Sequence, residues 1–86
     1  MNKRWRDKAW DDYIDWVDID KKTFKRINKL IKDIERNGLL NGIGKPEKLI
    51  GRDAYSRRID EKNRLVYNID ENGYIYILAC KGHYDD

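Results

Sequence analysis

The hydrophobic period of this chain changes once, across Gly38-Leu39-Leu40-Asn41-Gly42-Ile43-Gly44-Lys45-Pro46, a stretch holding three of the six glycines and the only proline. Before it, apolar residues recur every three or four positions. After it they alternate or run in short blocks bounded by turn residues. A helical half followed by a strand half restricts the chain to an α+β layer arrangement, in which a helical pair covers one face of a sheet.

The first half divides into two helices. Ala9, Trp10, Tyr13, Ile14, Trp16 and Val17 form one stripe, with Asp11, Asp12, Asp15 and Asp18 between them, predicting a helix over 8–18. Asp20 is placed to cap a second helix, whose stripe is Phe24, Ile27, Leu30, Ile31 and Ile34. Asn37-Gly38 closes it, since glycine adopts the left-handed conformation without penalty. The short link predicts an antiparallel helical hairpin. Trp5, Trp10, Tyr13 and Trp16 have the spacing of a buried helix face and are assigned to the core.

In the second half, Lys48–Ile50, Ala54–Ile59, Arg64–Ile69 and Tyr74–Cys80 read as strands, the last two joined by Asp70-Glu71-Asn72-Gly73. Residues 1–6 add a short edge strand. Tyr74 and Tyr76 alternate with Ile75 and Ile77 and suit a half-exposed sheet face. The expected fold is α+β: two N-terminal antiparallel helices on one face of a mainly antiparallel sheet of four to five strands, residues 1–86 forming a single domain.

Composition narrows the setting. No window approaches 18 apolar residues, the length a membrane helix needs, and the N-terminal Met-Asn-Lys-Arg-Trp-Arg-Asp-Lys lacks the apolar core of a secretory signal. One cysteine, Cys80, excludes an intrachain disulfide, and a cytoplasmic home is expected. The net charge of +3 hides an asymmetry, because residues 21–64 carry 14 Lys/Arg against six Asp/Glu while both ends are acidic. The middle of the chain therefore offers a positive surface to a polyanion. Lys22, Lys25, Lys29, Lys32 and Arg36 repeat along one helix face, a pattern that a merely solvated surface also produces.

The chemistry-bearing residues flank that basic middle. Ser56-Arg57-Arg58-Ile59 and Arg64-Leu65-Val66-Tyr67 read as the two arms of a hairpin, and strands let guanidinium forks converge on a phosphate. Alternation puts Arg64 opposite in sense to Leu65, and register decides whether Arg58 joins it. A four-residue turn would pair Ile59 with Arg64 and separate the two arginines, whereas a five-residue connection or a bulge would bring them together. Surface pairing with Asp60 and Glu61 is the plain alternative. Glu47 follows Pro46 in the basic, glycine-rich loop, and His83, the only histidine, follows the last strand with Tyr84 beside it. Internal transfer at an RNA phosphodiester needs a base near the 2′-hydroxyl, positive charge around the phosphorane and an acid for the departing 5′-oxygen. Glu47, the arginines and His83 supply these types. A single histidine and no Cys/His/carboxylate cluster give a metal nuclease site little support.

Four stretches carry a family resemblance: Trp10-Asp11-Asp12-Tyr13 with Trp16; Gly44-Lys45-Pro46-Glu47 with Leu49; Ser56-Arg57-Arg58-Ile59 with Arg64-Leu65-Val66-Tyr67; and Ala79-Cys80 with His83-Tyr84. In order and spacing the chain resembles the YoeB (Txe) toxins of bacterial type II toxin-antitoxin pairs, within the RelE/ParE superfamily. The resemblance implies a RelE-like fold and a ribosome-dependent endoribonuclease that cuts mRNA without metal or other cofactor. By position it implies Glu47 as general base, Arg64 and Arg58 as phosphate-stabilising groups, His83 as general acid, and Tyr84 as a substrate-holding residue; Arg57, from its place on the hairpin arm beside Arg58, is also expected to bind substrate. It further implies that Lys22, Lys25, Lys29 and Lys32 meet ribosomal RNA, that a YefM/Phd-like antitoxin blocks the protein, and that members dimerise. The chain departs from the family pattern at Lys62, at Lys81 and in its closing Asp85-Asp86. A gyrase-binding poison of the ParE type and a basic RNA-binding module without turnover are the competing readings.

Overall fold

The computed structural model describes residues 1–82. The helices are α1 (Asp7–Ile19) and α2 (Lys21–Asn37); the strands are β1 (Lys3–Trp5), β2 (Glu47–Lys48), β3 (Tyr55–Arg58), β4 (Arg64–Ile69) and β5 (Ile75–Ala79). Asp20 alone separates the helices. Its amide donates to the Trp16 carbonyl and ends α1, while its carboxylate accepts from the Lys22 amide and the Thr23 hydroxyl and starts α2. Gly38, at φ 88°, closes α2 as the Asn37-Gly38 pair predicts.

The strands form one sheet in the order β1-β5-β4-β3-β2. Pairings β2/β3, β3/β4 and β4/β5 are antiparallel, and β1 adds a parallel edge against β5. Both helices cover one face, where Ala9, Trp16, Ile27, Leu30, Ile31 and Ile34 meet Leu65, Tyr67, Ile75, Ile77 and Cys80. Burying a side chain of this size stabilises by about 1.5–3 kcal/mol, and this layer contains most of the apolar burial. The other face carries a smaller cluster, Leu49, Ala54 and Val66 with Leu78 and Ala79 packed on it.

A bulge in β5 explains how both faces are served. Val66 pairs with Ala79 but its neighbour Tyr67 pairs with Ile77, so Leu78 is extra. The insertion sends Leu78 and Ala79 to the second cluster and returns Cys80 to the helical face. There the Cys80 carbonyl accepts from Trp16 Nε1 at 3.0 Å and its thiol lies 3.4 Å from the Ala9 carbonyl.

Two expectations change. The strand predicted over Lys48–Ile50 is the two-residue β2, because Leu49 turns into the second cluster and Ile50 is left 91% exposed. Trp10 is 45% exposed, stacked at its edge on Trp5 and tilted against Tyr13, so the aromatic group lies partly at the surface. Tyr74 and Tyr76 are half-exposed as expected, and the Arg4 guanidinium lies over the Tyr76 ring at 4.5 Å. Among the described residues no helix is long and apolar enough to cross a membrane.

Candidate active site

The turn between β3 and β4 is organised by Asp60. Its carboxylate accepts from the backbone amides of Lys62 and Asn63, at 2.8 and 2.7 Å, and from the Asn63 side chain. Partial burial pushes this carboxyl up, but the bonds from Asn63 and Lys62 outweigh it and hold the pKa below the usual carboxylate range. With Asp60 so engaged, the connection spans Ile59 to Asn63 and the register pairs Arg58 with Arg64. This is the five-residue arrangement, and it puts the two arginines on one face.

Their pairing is of the close kind. The Arg58 amide donates to the Gly44 carbonyl at 2.6 Å and the Arg64 amide to the Gly82 carbonyl at 3.0 Å, so neither bonds the other across the ladder. Non-hydrogen-bonded antiparallel partners stand about 4.5 Å apart at Cα, closer than their hydrogen-bonded neighbours. Arg58 is exposed; Arg64 is half-buried, its Nη1 donating to the Asp60 carbonyl at 3.1 Å. Like charges directly opposite on a sheet are destabilising, and a bound anion relieves the repulsion.

Glu47 shares the face. It pairs with Ser56, two residues before Arg58, and cross-strand partners point the same way. Arg57 and Tyr55 point the other way, toward the helices, which leaves Glu47, Arg58 and Arg64 together on the side away from them. Glu47 is exposed at the start of β2.

The last described residue, Gly82, is held against the same hairpin. Besides accepting from Arg64, it donates its amide to Asn63 Oδ1 at 2.8 Å. His83 and Tyr84 come next in the chain and, with Asp85 and Asp86, lie outside the described residues. Sequence reasoning missed Asn63, since an asparagine in a polar turn reads only as a turn former.

Arg57 corrects an expectation. It is not a substrate-binding residue, because it is fully buried and points toward α2. Nε donates to the Tyr67 hydroxyl at 2.9 Å, Nη1 to Asp33 Oδ2 at 2.5 Å and to the Ile43 carbonyl at 3.0 Å, and Nη2 to the Gly38 and Asn41 carbonyls at 2.8 Å each. A guanidinium has five N–H donors, and these bonds use all of them. Burial pushes the Asp33 carboxyl up, yet the Ile43 amide, Arg57 and Asn37 hold it below its ordinary value. The signal available in the sequence was Asp33 itself, one of only two acids in the basic segment 21–44.

Lys22, Lys25, Lys29 and Lys32 are all exposed on α2. They belong to the helical layer, across the sheet from the face bearing Glu47, Arg58 and Arg64, and are not gathered with those three. A groove of about 320 Å³ beside Trp5, Tyr13 and Asn28 is also remote from them, and its Glu35 is paired with Lys3 and the N-terminal amine. Cys80 is buried, and that burial pushes its thiol up to about 12, so it remains a core group.

The family model describing the YoeB-like toxin of bacterial type II toxin-antitoxin systems matches residues 5–84. The chain is 44% identical to the toxin YoeB of Escherichia coli K12 over 86 residues, covering 98% of this chain and 100% of that protein. Its fold is similar to the YoeB-YefM complex from Staphylococcus aureus, with TM-score 0.89 and 48% identity over 98% of each chain. It is also similar to the YoeB dimer from the same organism, with TM-score 0.91, 48% identity and 98% coverage of both chains.

Proposed function

This chain belongs to the YoeB-like toxins of bacterial type II toxin-antitoxin systems, and from that premise we propose that it is a ribosome-dependent endoribonuclease acting on mRNA. The observation that carries the reading is the pairing of Arg58 with Arg64 on the sheet face where Glu47 also stands.

In this mechanism the Glu47 carboxylate takes the proton of the 2′-hydroxyl, and that oxygen attacks the adjacent phosphorus. Arg58 and Arg64 neutralise the charge gathering on the non-bridging oxygens, the stage at which fixed cations count most. His83 donates a proton to the departing 5′-oxygen. A 2′,3′-cyclic phosphate and a 5′-hydroxyl result, with every proton supplied by the chain. Tyr84 holds the substrate beside it.

The lysine face of α2 contacts ribosomal RNA, leaving the opposite side of the sheet to the message. The YoeB-YefM complex supports a YefM-like antitoxin as partner, and the YoeB dimer supports self-association. Cytoplasmic location follows from a ribosomal target.

The test maps 5′ ends of message on translating ribosomes with the wild-type protein and with His83→Ala. Cuts within codons that require both the ribosome and His83 are expected. Undiminished cutting by His83→Ala, or gyrase inhibition without RNA cleavage, overturns the reading.

A further inference from the structure

We propose that Arg57 is a positioning residue of this site, setting through its buried bonds where Glu47 stands relative to Arg58. The inference rests on the nuclease reading and identifies what holds the base in place.

Glu47 lies at the end of a nine-residue connection, Gly38 to Pro46, that contains no helix or strand. Leu39 and Ile43 pack against the core, and the rest of what fixes this connection is polar. Arg57 takes the carbonyls of Gly38, Asn41 and Ile43. The Tyr67 hydroxyl, which accepts from Arg57, donates onward to the Leu39 carbonyl at 2.7 Å. Asp33, which pairs with Arg57, takes the Ile43 amide at 2.9 Å. One guanidinium and its two direct partners thus tie four of the six residues from Gly38 to Ile43.

The next bond reaches the site. Gly44 accepts from the amide of Arg58, Arg57's neighbour on β3, and Glu47 enters the sheet three residues later opposite Ser56. Arg57 and Arg58 occupy consecutive positions with opposite facing. The same strand therefore anchors the loop from below and presents the phosphate-binding group above.

The loop is drawn so close that side chains are excluded. A Cβ at Gly42 would overlap Asp33 Oδ2, and one at Gly44 would lie 2.8 Å from Leu30 Cδ2. Both residues also have positive φ, 115° and 84°. A buried ion pair is a poor source of net stability compared with apolar packing, because desolvation opposes the attraction. Its return here is register: five directional bonds admit one path for the loop, whereas an apolar side chain would admit several.

Tyr67→Phe tests this with the fold retained, since it removes one oxygen and keeps the ring. The variant loses the acceptor for Arg57 Nε and the donor to Leu39. Single-turnover cleavage on programmed ribosomes is measured at saturating protein, alone and in Glu47→Ala and His83→Ala backgrounds. Tyr67→Phe is expected to slow cleavage roughly 10- to 100-fold, in the range of a small misplacement of a reacting group, with half-saturation unchanged. In the Glu47→Ala background it has no further effect, and in the His83→Ala background the full loss persists. An equal loss in the Glu47→Ala background, or no loss in any, overturns the inference. Cleavage undiminished by Glu47→Ala alone instead removes Glu47 as the base, and the inference with it. Gly42→Ala, whose Cβ would push against Asp33 and Arg57 and so displace the loop from that pair, is expected to give the same pattern of backgrounds.

Discussion

Arg58 and Arg64 face each other across β3 and β4 as a non-hydrogen-bonded pair, each sending its backbone amide outward, to Gly44 and to Gly82. Folding thus brings two guanidinium-bearing residues to directly opposite positions on adjacent strands, an arrangement suited to holding one anion between them.

Arg58→Ala follows from that pairing. Removing an exposed cation from a like-charged pair leaves stability within about 0.5 kcal/mol of wild type in urea unfolding, or slightly raised. Cleavage of ribosome-bound message falls by about 10²- to 10³-fold, as for loss of one fixed group that stabilises transition-state charge. Loss of folding in parallel with loss of activity would contradict this separation.

Arg57→Met behaves in the opposite way. Taking one partner from a buried ion pair typically costs about 3–5 kcal/mol, and here it also strips the Gly38, Asn41 and Ile43 carbonyls of their donor. A large drop in the urea midpoint is expected, and a change under 1 kcal/mol would show that the interior bonds are replaced by water.

Acid should weaken the same region. The Asp33 carboxyl titrates lower in the folded protein than in the unfolded chain, so its contribution is complete above an ordinary carboxylate pKa of about 4 and disappears as pH falls through the lowered value. Asp33→Asn is expected to flatten this part of the stability-against-pH curve below about pH 4. Melting temperatures of the two proteins over that interval check it.

Lys22, Lys25, Lys29 and Lys32 are exposed and remote from the paired arginines. Replacing all four by glutamine leaves unfolding unchanged and lowers the salt dependence of ribosome binding, by about one unit of log–log slope for each lysine in phosphate contact. A slope equal to wild type removes this face from the interface.

The Cys80 thiol, pushed up to about 12 by burial, carries negligible thiolate at neutral pH. In the native protein it is expected to resist a disulfide reagent for as long as the chain stays folded, and to react at once in denaturant. Rapid native labelling would contradict its place under Ala9 and Trp16.

The helical hairpin was readable from spacing because one device serves both halves of it: Asp20 ends one helix and caps the next. The hairpin of β3 and β4 was readable down to two alternatives. What chose between them was the Asp60 carboxylate gathering the Lys62 and Asn63 amides, a tertiary detail that alternation does not carry. Arg57 shows the limit more sharply. Beside Arg58 it looks like a second surface cation, and only the placement of Asp33, 24 residues earlier, converts it into an interior one. The extra residue in β5 was equally hidden, since Leu78 and Ala79 are both apolar and fit a run of either phase.

The parallel seating of β1 against β5 makes the first strand of the chain the neighbour of the last. Lys3 to Trp5 leave the ribosome early but find their ladder only when Ile75 to Ile77 have followed, so the sheet cannot be closed while the chain is still being threaded out. Closure of such a long-range contact is slow by nature. A nascent copy therefore lacks this edge of its sheet until Ile75 to Ile77 have emerged to meet Lys3 to Trp5.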